Sequence, residues 1–438
     1  MTPENRVDQL VARRLGLERN WDRRSLEQAQ MVALRRTVHH ALAGSSLYRQ
    51  RLAGLDPEML RTARDLDRIP LLNSRDIVVG GHRLQCISQS RVARVVTLQT
   101  SGSTGQAKRL MFTSEDLEAT MDFFLNGMRS LIDATDRVVV MLPYQQPDCV
   151  GDLLIKALSA GGIGVVGVWP PQPPMKDFIR TNRLTCAVGL PPQLLTLAEE
   201  IGPGLLQTML LCSDYASPAL RARIEHACRC RTFLHYGTTE SGLGGAVECA
   251  RHDGCHIRES DLLVEIIDPE TGKSLADGEL GEVVITTLGR EAMPLLRYRT
   301  GDLARLTHTT CSCGGITARL LDIRGRLTGC PLGDGLLHSQ DLDDHLFQIP
   351  GLLDYRATLH REGKERLHIA YLAAPSAGRI DMQIAGKLME VPAVQEASLS
   401  GSLKIGEIIR VKQFTASHTV KQTILDLRTS GETDATPF

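Results

Sequence analysis

The chain has 438 residues, 42% hydrophobic and 23% charged, with a formal net charge of −1. That length exceeds one ordinary core and points to a globular protein of two domains. The near-zero charge gives no electrostatic case for nucleic acid or an anionic membrane as partner, and no apolar run approaches the roughly 20 residues a bilayer crossing needs.

The opening residues MTPENRVDQLVARRLG lack the apolar core of a secretory signal. Eleven cysteines, an odd number, argue for reduced thiols rather than a complete disulfide framework. Both features lead us to expect a cytoplasmic protein. Residues 1–65 read as helices, most clearly 26–42, where Leu26, Met31, Leu34, Val38 and Leu42 recur at helical spacing.

Residues 97–109, TLQTSGSTGQAKR, interrupt two apolar, β-prone stretches. Thr100, Ser101, Gly102, Ser103, Thr104 and Gly105 are small, so backbone N–H groups and hydroxyls can crowd a polyanion there. Lys108 adds a point charge suited to phosphate. The spacing fits neither the nucleotide-binding loop with its terminal Gly-Lys-Ser/Thr nor the dinucleotide fingerprint. A plain Ser/Gly turn is the competing reading.

A capping signal at Thr113 or Ser114 opens the next helix. Residues 137–144, RVVVMLPY, then begin a strand–turn–helix rhythm that continues through 149–168, 187–201 and 209–227. Such alternation predicts helix-covered, largely parallel β-sheets, with ligands at the carboxyl ends of the strands. From about 327 the pattern changes. Residues 351–374 read as two strands about a polar REGKE turn, and 382–390 as a short helix, giving a small α+β domain with an antiparallel sheet.

The loop TSGSTGQAKR, the segment HYGTTESG at 235–242 and YRTGDL at 298–303 occur in an order that resembles the adenylate-forming superfamily of acyl-CoA synthetases, peptide-synthetase adenylation domains and luciferases. Residues 45–48 and the segment LDRIPLLNSRDI at 66–77 resemble the opening of phenylacetate-CoA ligases, the closest likeness within the superfamily. The resemblance implies an α/β adenylate-forming fold, with a large domain over 1–325 and a small C-terminal lid over 326–438.

By the same resemblance, residues 100–105 and Lys108 meet the ATP phosphates. Tyr236 stacks on adenine beside Gly237, Thr239 contacts phosphate, and Glu240 holds Mg2+ and serves catalysis. Asp302 binds the ribose hydroxyls, Arg326 contacts ATP, and Asp214 approaches the adenine where relatives carry a longer glutamate. Tyr144, Asp152, Leu190 and Pro191 fall in the matching acyl-pocket region; ordinary core and turn duty is the competing reading. The hinge departs from the usual G-R-x-D, reading Gly325-Arg326-Leu327-Thr328. In relatives the lid supplies a catalytic lysine that stabilises charge during adenylation; here Val420 stands at its aligned place and Lys421, one residue later, is expected to serve, a lid without that group being the alternative.

Residues 248–260 and 310–315 carry Cys249, His252, Cys255, His256, Cys311 and Cys313. Thiols at C-x-C spacing with further Cys and His suit tetrahedral zinc, and metal-free reduced cysteines are the alternative. Some phenylacetate-CoA-ligase relatives hold zinc here, which carries over as Cys249, His256, Cys311 and Cys313; Cys255 and His252 compete.

The expected activity is ATP-dependent activation of a small-molecule carboxylate, aryl or arylacetic in class, to an acyl-adenylate, then thioester formation with coenzyme A. The cofactors implied are ATP, Mg2+, coenzyme A and structural Zn2+. One alternative passes the acyl group to a carrier protein or an amine. Another is a degraded nucleotide- or acyl-adenylate-binding protein. No nucleic acid or membrane partner is expected, and a homodimer is one expected assembly.

Overall fold

The structure is a computed structural model that describes residues 5–18, 20–98, 107–171, 174–414 and 424–428. The residues expected to meet phosphate, Thr100, Ser101, Gly102, Ser103, Thr104 and Gly105, and also Lys421, lie outside the described residues. The chain divides into two compact units. One comprises residues 1–136, 142–167 and 233–323, the other 137–141, 168–232 and 324–438.

In the first unit the helix Arg6–Leu15 begins where the Asn5 side chain accepts from Val7 N and Asp8 N, and it ends at Gly16 with φ 67°. The helix Arg23–Gly44 starts with a reciprocal Asp22–Ser25 capping box. It buries Leu26, Met31, Leu34 and Val38 as the spacing predicts, but Ala41 rather than Leu42 completes the buried face. The helix Ser114–Met128 is capped by Thr113, whose hydroxyl and backbone trade hydrogen bonds with Asp116. It packs Phe123 and Phe124 inward.

The strands Leu262–Ile267, Leu280–Thr287, Tyr298–Thr307, Arg319–Arg326, Cys255–Ile257, Ala246–Glu248 and Arg231–Tyr236 lie side by side in that order. The pairings between Leu262–Ile267, Leu280–Thr287 and Tyr298–Thr307 are antiparallel, as are those among the short strands. The parallel rhythm of the earlier strands therefore stops here, because short hairpin connections can join only antiparallel neighbours. Leu72 pairs with the start of Tyr298–Thr307 through Arg299 N and Arg297 O. Tyr48 reaches the same segment, donating to Pro294 O at 3.0 Å and accepting from Leu296 N at 3.1 Å.

In the second unit the strands Arg137–Met141, Cys186–Gly189 and Thr208–Leu211 pair in parallel, as the strand–helix alternation predicts. The helices Pro191–Ile201 and Pro218–Cys228 follow the latter two, each with proline in its first turn, where a missing N–H costs nothing. Val138, Val139, Val140, Ala187 and Met209 are fully buried, as a strand covered on both faces requires.

The predicted hairpin is present as Leu352–Glu362 and Lys364–Ala373, turning at Gly363 with φ 72°. Its outer partners, Leu403–Arg410 and Leu425–Asp426, pair in parallel, so this sheet is mixed rather than antiparallel. The helix Asp381–Leu388 realises the predicted short helix. No helix among the described residues is long and apolar enough to cross a membrane.

Candidate active site and metal centre

Alternation along Tyr298–Thr307 puts Tyr298, Thr300 and Asp302 on one buried face, because strand side chains repeat every second residue. Asp302 lies inside the strand, directly after Gly301, whose φ is 78°. Across from it, Arg231–Tyr236 delivers Tyr236 and then turns at residues 237–242. A Cβ on Gly237 would lie 2.7 Å from Leu243 O and 2.9 Å from Gly244 Cα, so this turn closes only around glycine.

Two polar groups result. In the first, Lys108 Nζ forms an ion pair with Glu240 Oε1, and the Tyr298 hydroxyl donates to the same oxygen at 3.0 Å and lies 3.3 Å from Lys108 Nζ. Glu240 is 4% exposed and Lys108 7%. Burial pushes the Glu240 carboxyl up, but the Lys108 ammonium and the hydrogen bonds hold it below its ordinary value, so it is ionised at neutral pH. In the second, the Tyr236 hydroxyl donates to Asp302 Oδ2 at 2.9 Å. Burial first and the Asp302 charge second raise the Tyr236 phenol well above its usual range, keeping it a donor.

The structure places Lys108, Glu240, Tyr236 and Asp302 in one unit, with Lys108 paired to Glu240 and Tyr236 to Asp302. Thr239 sits in the same turn, its carbonyl accepting from Gly242 N at 3.1 Å. Asp214 and Arg326 belong to the second unit. There Asp214 accepts from Tyr215 N at 2.9 Å, and exposed Arg326 has its carbonyl 3.2 Å from His338 Nδ1. Gly325 lies against the Gln340 side chain, which would have to shift to admit a Cβ. Asp152 is engaged by Asp148 N at 2.6 Å and Lys156 at 2.8 Å, and Leu190 and Pro191 open a helix. Tyr298 carried no expected role, and its place at the head of YRTGDL is the one mark of it in the sequence.

The second centre gathers Cys249, His256, Cys311 and Cys313, whose ligand atoms all lie within 4.8 Å of one another. Cys249 Sγ is 3.8 Å from Cys311 Sγ, and Cys313 Sγ is 3.5 Å from His256 Nε2. Cys255 turns away to Leu234 O at 3.7 Å, and His252 stacks on Phe233 while meeting Glu248 at 3.2 Å. Neither competitor joins the cluster. The Asp8 carboxylate accepts from the Thr317 hydroxyl at 2.7 Å, so Thr317 Oγ1 must accept from His256 Nδ1–H at 3.0 Å. That leaves the Nε2 lone pair facing the thiols. Asn5 Nδ2 and Gly315 N donate to Cys313 Sγ at 3.4 and 3.3 Å. Asn5 and Asp8 left no signal in the sequence because they lie 308 and 309 positions from Cys313 and Thr317, the residues they meet.

The family model "AMP-binding enzyme" matches residues 87–290. A phenylacetate-coenzyme A ligase of Thermus thermophilus is 32% identical over 364 residues, covering 78% of this chain and 80% of the relative. One from Pseudomonas putida is 31% identical over 333 residues, covering 69% and 73%. Among solved structures, 2-hydroxyisobutyryl-CoA ligase with 2-HIB-AMP, in the postadenylation state, matches with a TM-score of 0.75. It covers 92% of this chain and 90% of the other at 17% identity, a likeness of fold. The fold is that of the adenylate-forming ligases. Within it, the chain belongs to the phenylacetate-coenzyme A ligase family.

Proposed function

We propose that the protein activates a carboxylic acid with ATP as its acyl-adenylate and passes the acyl group to coenzyme A. A carboxylate oxygen attacks the α-phosphorus and the bond to pyrophosphate breaks. The coenzyme A sulfur then attacks the acyl carbon, and AMP leaves with the electrons of the acyl–oxygen bond. The observation that carries this reading is the buried Lys108–Glu240–Tyr298 cluster beside the Tyr236–Asp302 pair, in a chain of this family.

Each group suits a part of the task. Asp302, as an acceptor-only carboxylate, would take both ribose hydroxyls, and the Tyr236 ring would face the adenine. Glu240, ionised and buried, fits Mg2+, which when bound would neutralise charge on the phosphates. Lys108 would exchange its carboxylate partner for a phosphate oxygen as ATP enters. Residues 100–105, Thr239 and Arg326 complete the proposed nucleotide contacts, and Asp214 the adenine edge. The names of the relatives support an aryl or arylacetic acid as substrate.

The thiol–imidazole cluster fits a structural Zn2+: three sulfurs and one oriented nitrogen fill a tetrahedron and leave no position for chemistry. We also propose a division into 1–325 and a lid over 326–438, with Lys421 supplying the lid's cation. A cytoplasmic setting agrees with the free cysteines throughout the described chain.

The test is acid-dependent ATP–pyrophosphate exchange across a panel of aryl, arylacetic and hydroxy acids, with AMP and thioester measured with and without coenzyme A. Exchange with an arylacetic acid, and thioester only when coenzyme A is present, is the expected result. A carrier-protein acceptor would show as exchange without thioester in both arms. Absence of exchange with every acid would overturn the reading.

A further inference from the structure

The turn that carries Glu240 is held from behind. Its successive carbonyls at Glu240, Ser241 and Gly242 each accept a side-chain hydrogen bond: from Arg290 Nη1 at 2.9 Å, from Arg258 Nη2, and from Thr120 Oγ1 at 2.8 Å. Inside the turn, Thr238 N donates to Ser241 Oγ at 3.0 Å and Ser241 N to Thr238 Oγ1 at 3.1 Å. The three outer donors come from separate places: the helix Ser114–Met128, the residue after Cys255–Ile257, and the loop after Leu280–Thr287.

Buried carbonyls need partners, but a hydroxyl or water would serve. Committing two guanidiniums that are 4% and 8% exposed is costly, since a buried charge loses its hydration. Arg258 moreover leaves Nε and Nη1 without a hydrogen-bond partner. Such a cost is retained where fixed geometry matters.

The guanidiniums are themselves locked. Arg290 lies over the Phe112 ring at 4.5 Å and Arg258 over the Phe123 ring at 5.4 Å. Asp116, already part of the cap of its helix, accepts from Glu291 N at 3.0 Å and Ala292 N at 3.2 Å, fixing the backbone beside Arg290. At Gly242, with φ 80°, a Cβ would come within 2.7 Å of Arg258 Nη2, so the guanidinium occupies the space a side chain would take.

We propose that Arg258 and Arg290, assisted by Thr120, are positioning residues for the adenylation step, fixing the backbone of 240–242 and so the direction of the Glu240 carboxylate. This rests on the reading of Glu240 as the metal-holding carboxylate. The two arginines act through the turn and not on substrate. Displacing such a support costs about 10- to 100-fold in metal affinity or activity.

The experiment is ATP–pyrophosphate exchange as a function of Mg2+ concentration in wild type, Arg290→Met, Arg290→Lys and Thr120→Val, with melting curves for each. Arg290→Met is expected to raise the Mg2+ concentration for half-maximal exchange by about tenfold or more. KM for the carboxylate should stay at the wild-type value, and Arg290→Lys should recover part of the loss because its ammonium still donates. Thr120→Val should shift the Mg2+ requirement in the same direction by less. A folded Arg290→Met with wild-type Mg2+ dependence overturns the proposal. If Arg290→Met does not fold, wild-type dependence in both Arg290→Lys and Thr120→Val overturns it equally. Wild type without exchange would instead sink the adenylation reading on which it rests.

Discussion

Two side chains at the residue scale show how burial is turned to use. The Tyr298 hydroxyl gives one hydrogen bond to a carboxylate that is already paired with Lys108. A hydrogen bond to a charged group contributes about 1.5–3 kcal/mol. Tyr298→Phe should therefore lower kcat/KM for ATP by about 10- to 100-fold in the exchange assay while the protein stays folded. His235 is the opposite case, a buried base. Burial first and the nearby Arg258 charge second push it down to about 4 from 6.5. Phe123 and Phe124 lie against its ring, and its Nε2 has no hydrogen-bond partner. The folded state then binds fewer protons than the unfolded one between about pH 6.5 and 4, so stability rises with pH across that window and is complete above it. The melting temperature should fall as pH drops from 6.5 to 4, and His235→Asn should flatten that slope. An unchanged slope in the variant would assign the acid limb to other groups.

At the scale of elements, the proposed metal centre is braced by a residue that neither of its loops contains. The helix Arg6–Leu15 sends Asp8 to Ile316 N at 2.6 Å and to Thr317, tying the loop that bears Cys311 and Cys313 to the ring of His256. Asp8→Asn keeps the shape but weakens the acceptor that orients Thr317. We expect about one zinc per chain in the wild type, as a closed four-ligand site requires. In Asp8→Asn, zinc should be lost to a chelator at about 10- to 100-fold lower chelator strength. Metal analysis of both proteins, prepared without chelator, checks this, and a wild type free of zinc would remove the centre altogether.

For the whole molecule the decisive question is the C-terminal part. The proposed division gives 326–438 the role of a lid, and its proposed catalytic group is Lys421. Losing a single donor that acts only in the transition state costs about 100-fold or more. Lys421→Ala should slow acyl-adenylate formation on that scale in a single turnover with labelled ATP. It should leave thioester formation from preformed acyl-adenylate nearly intact. Equal rates of adenylate formation in variant and wild type would take the role away from Lys421.

What the sequence determined by itself was local: caps at Thr113, the strand–helix alternation of 137–227, the hairpin of 352–373 and the motifs that carry Lys108, Glu240, Tyr236 and Asp302. Those signals arise from neighbours within a few residues, where periodicity and turn chemistry act. The four side chains of the proposed metal site were legible from their types and from the resemblance, and the separation from Cys255 and His252 needed the fold. A thiol at an adjoining strand position points to the opposite face, a distinction of one residue in register. Only the tertiary structure brought Tyr298 to Glu240, Asp8 to His256 by way of Thr317, and Arg258 and Arg290 behind the turn. Each of these pairings joins residues tens to hundreds of positions apart, and a hydrogen bond between such residues leaves no periodic mark on the chain. It exists because the packed core leaves a buried polar atom only the partners that the fold has placed within reach.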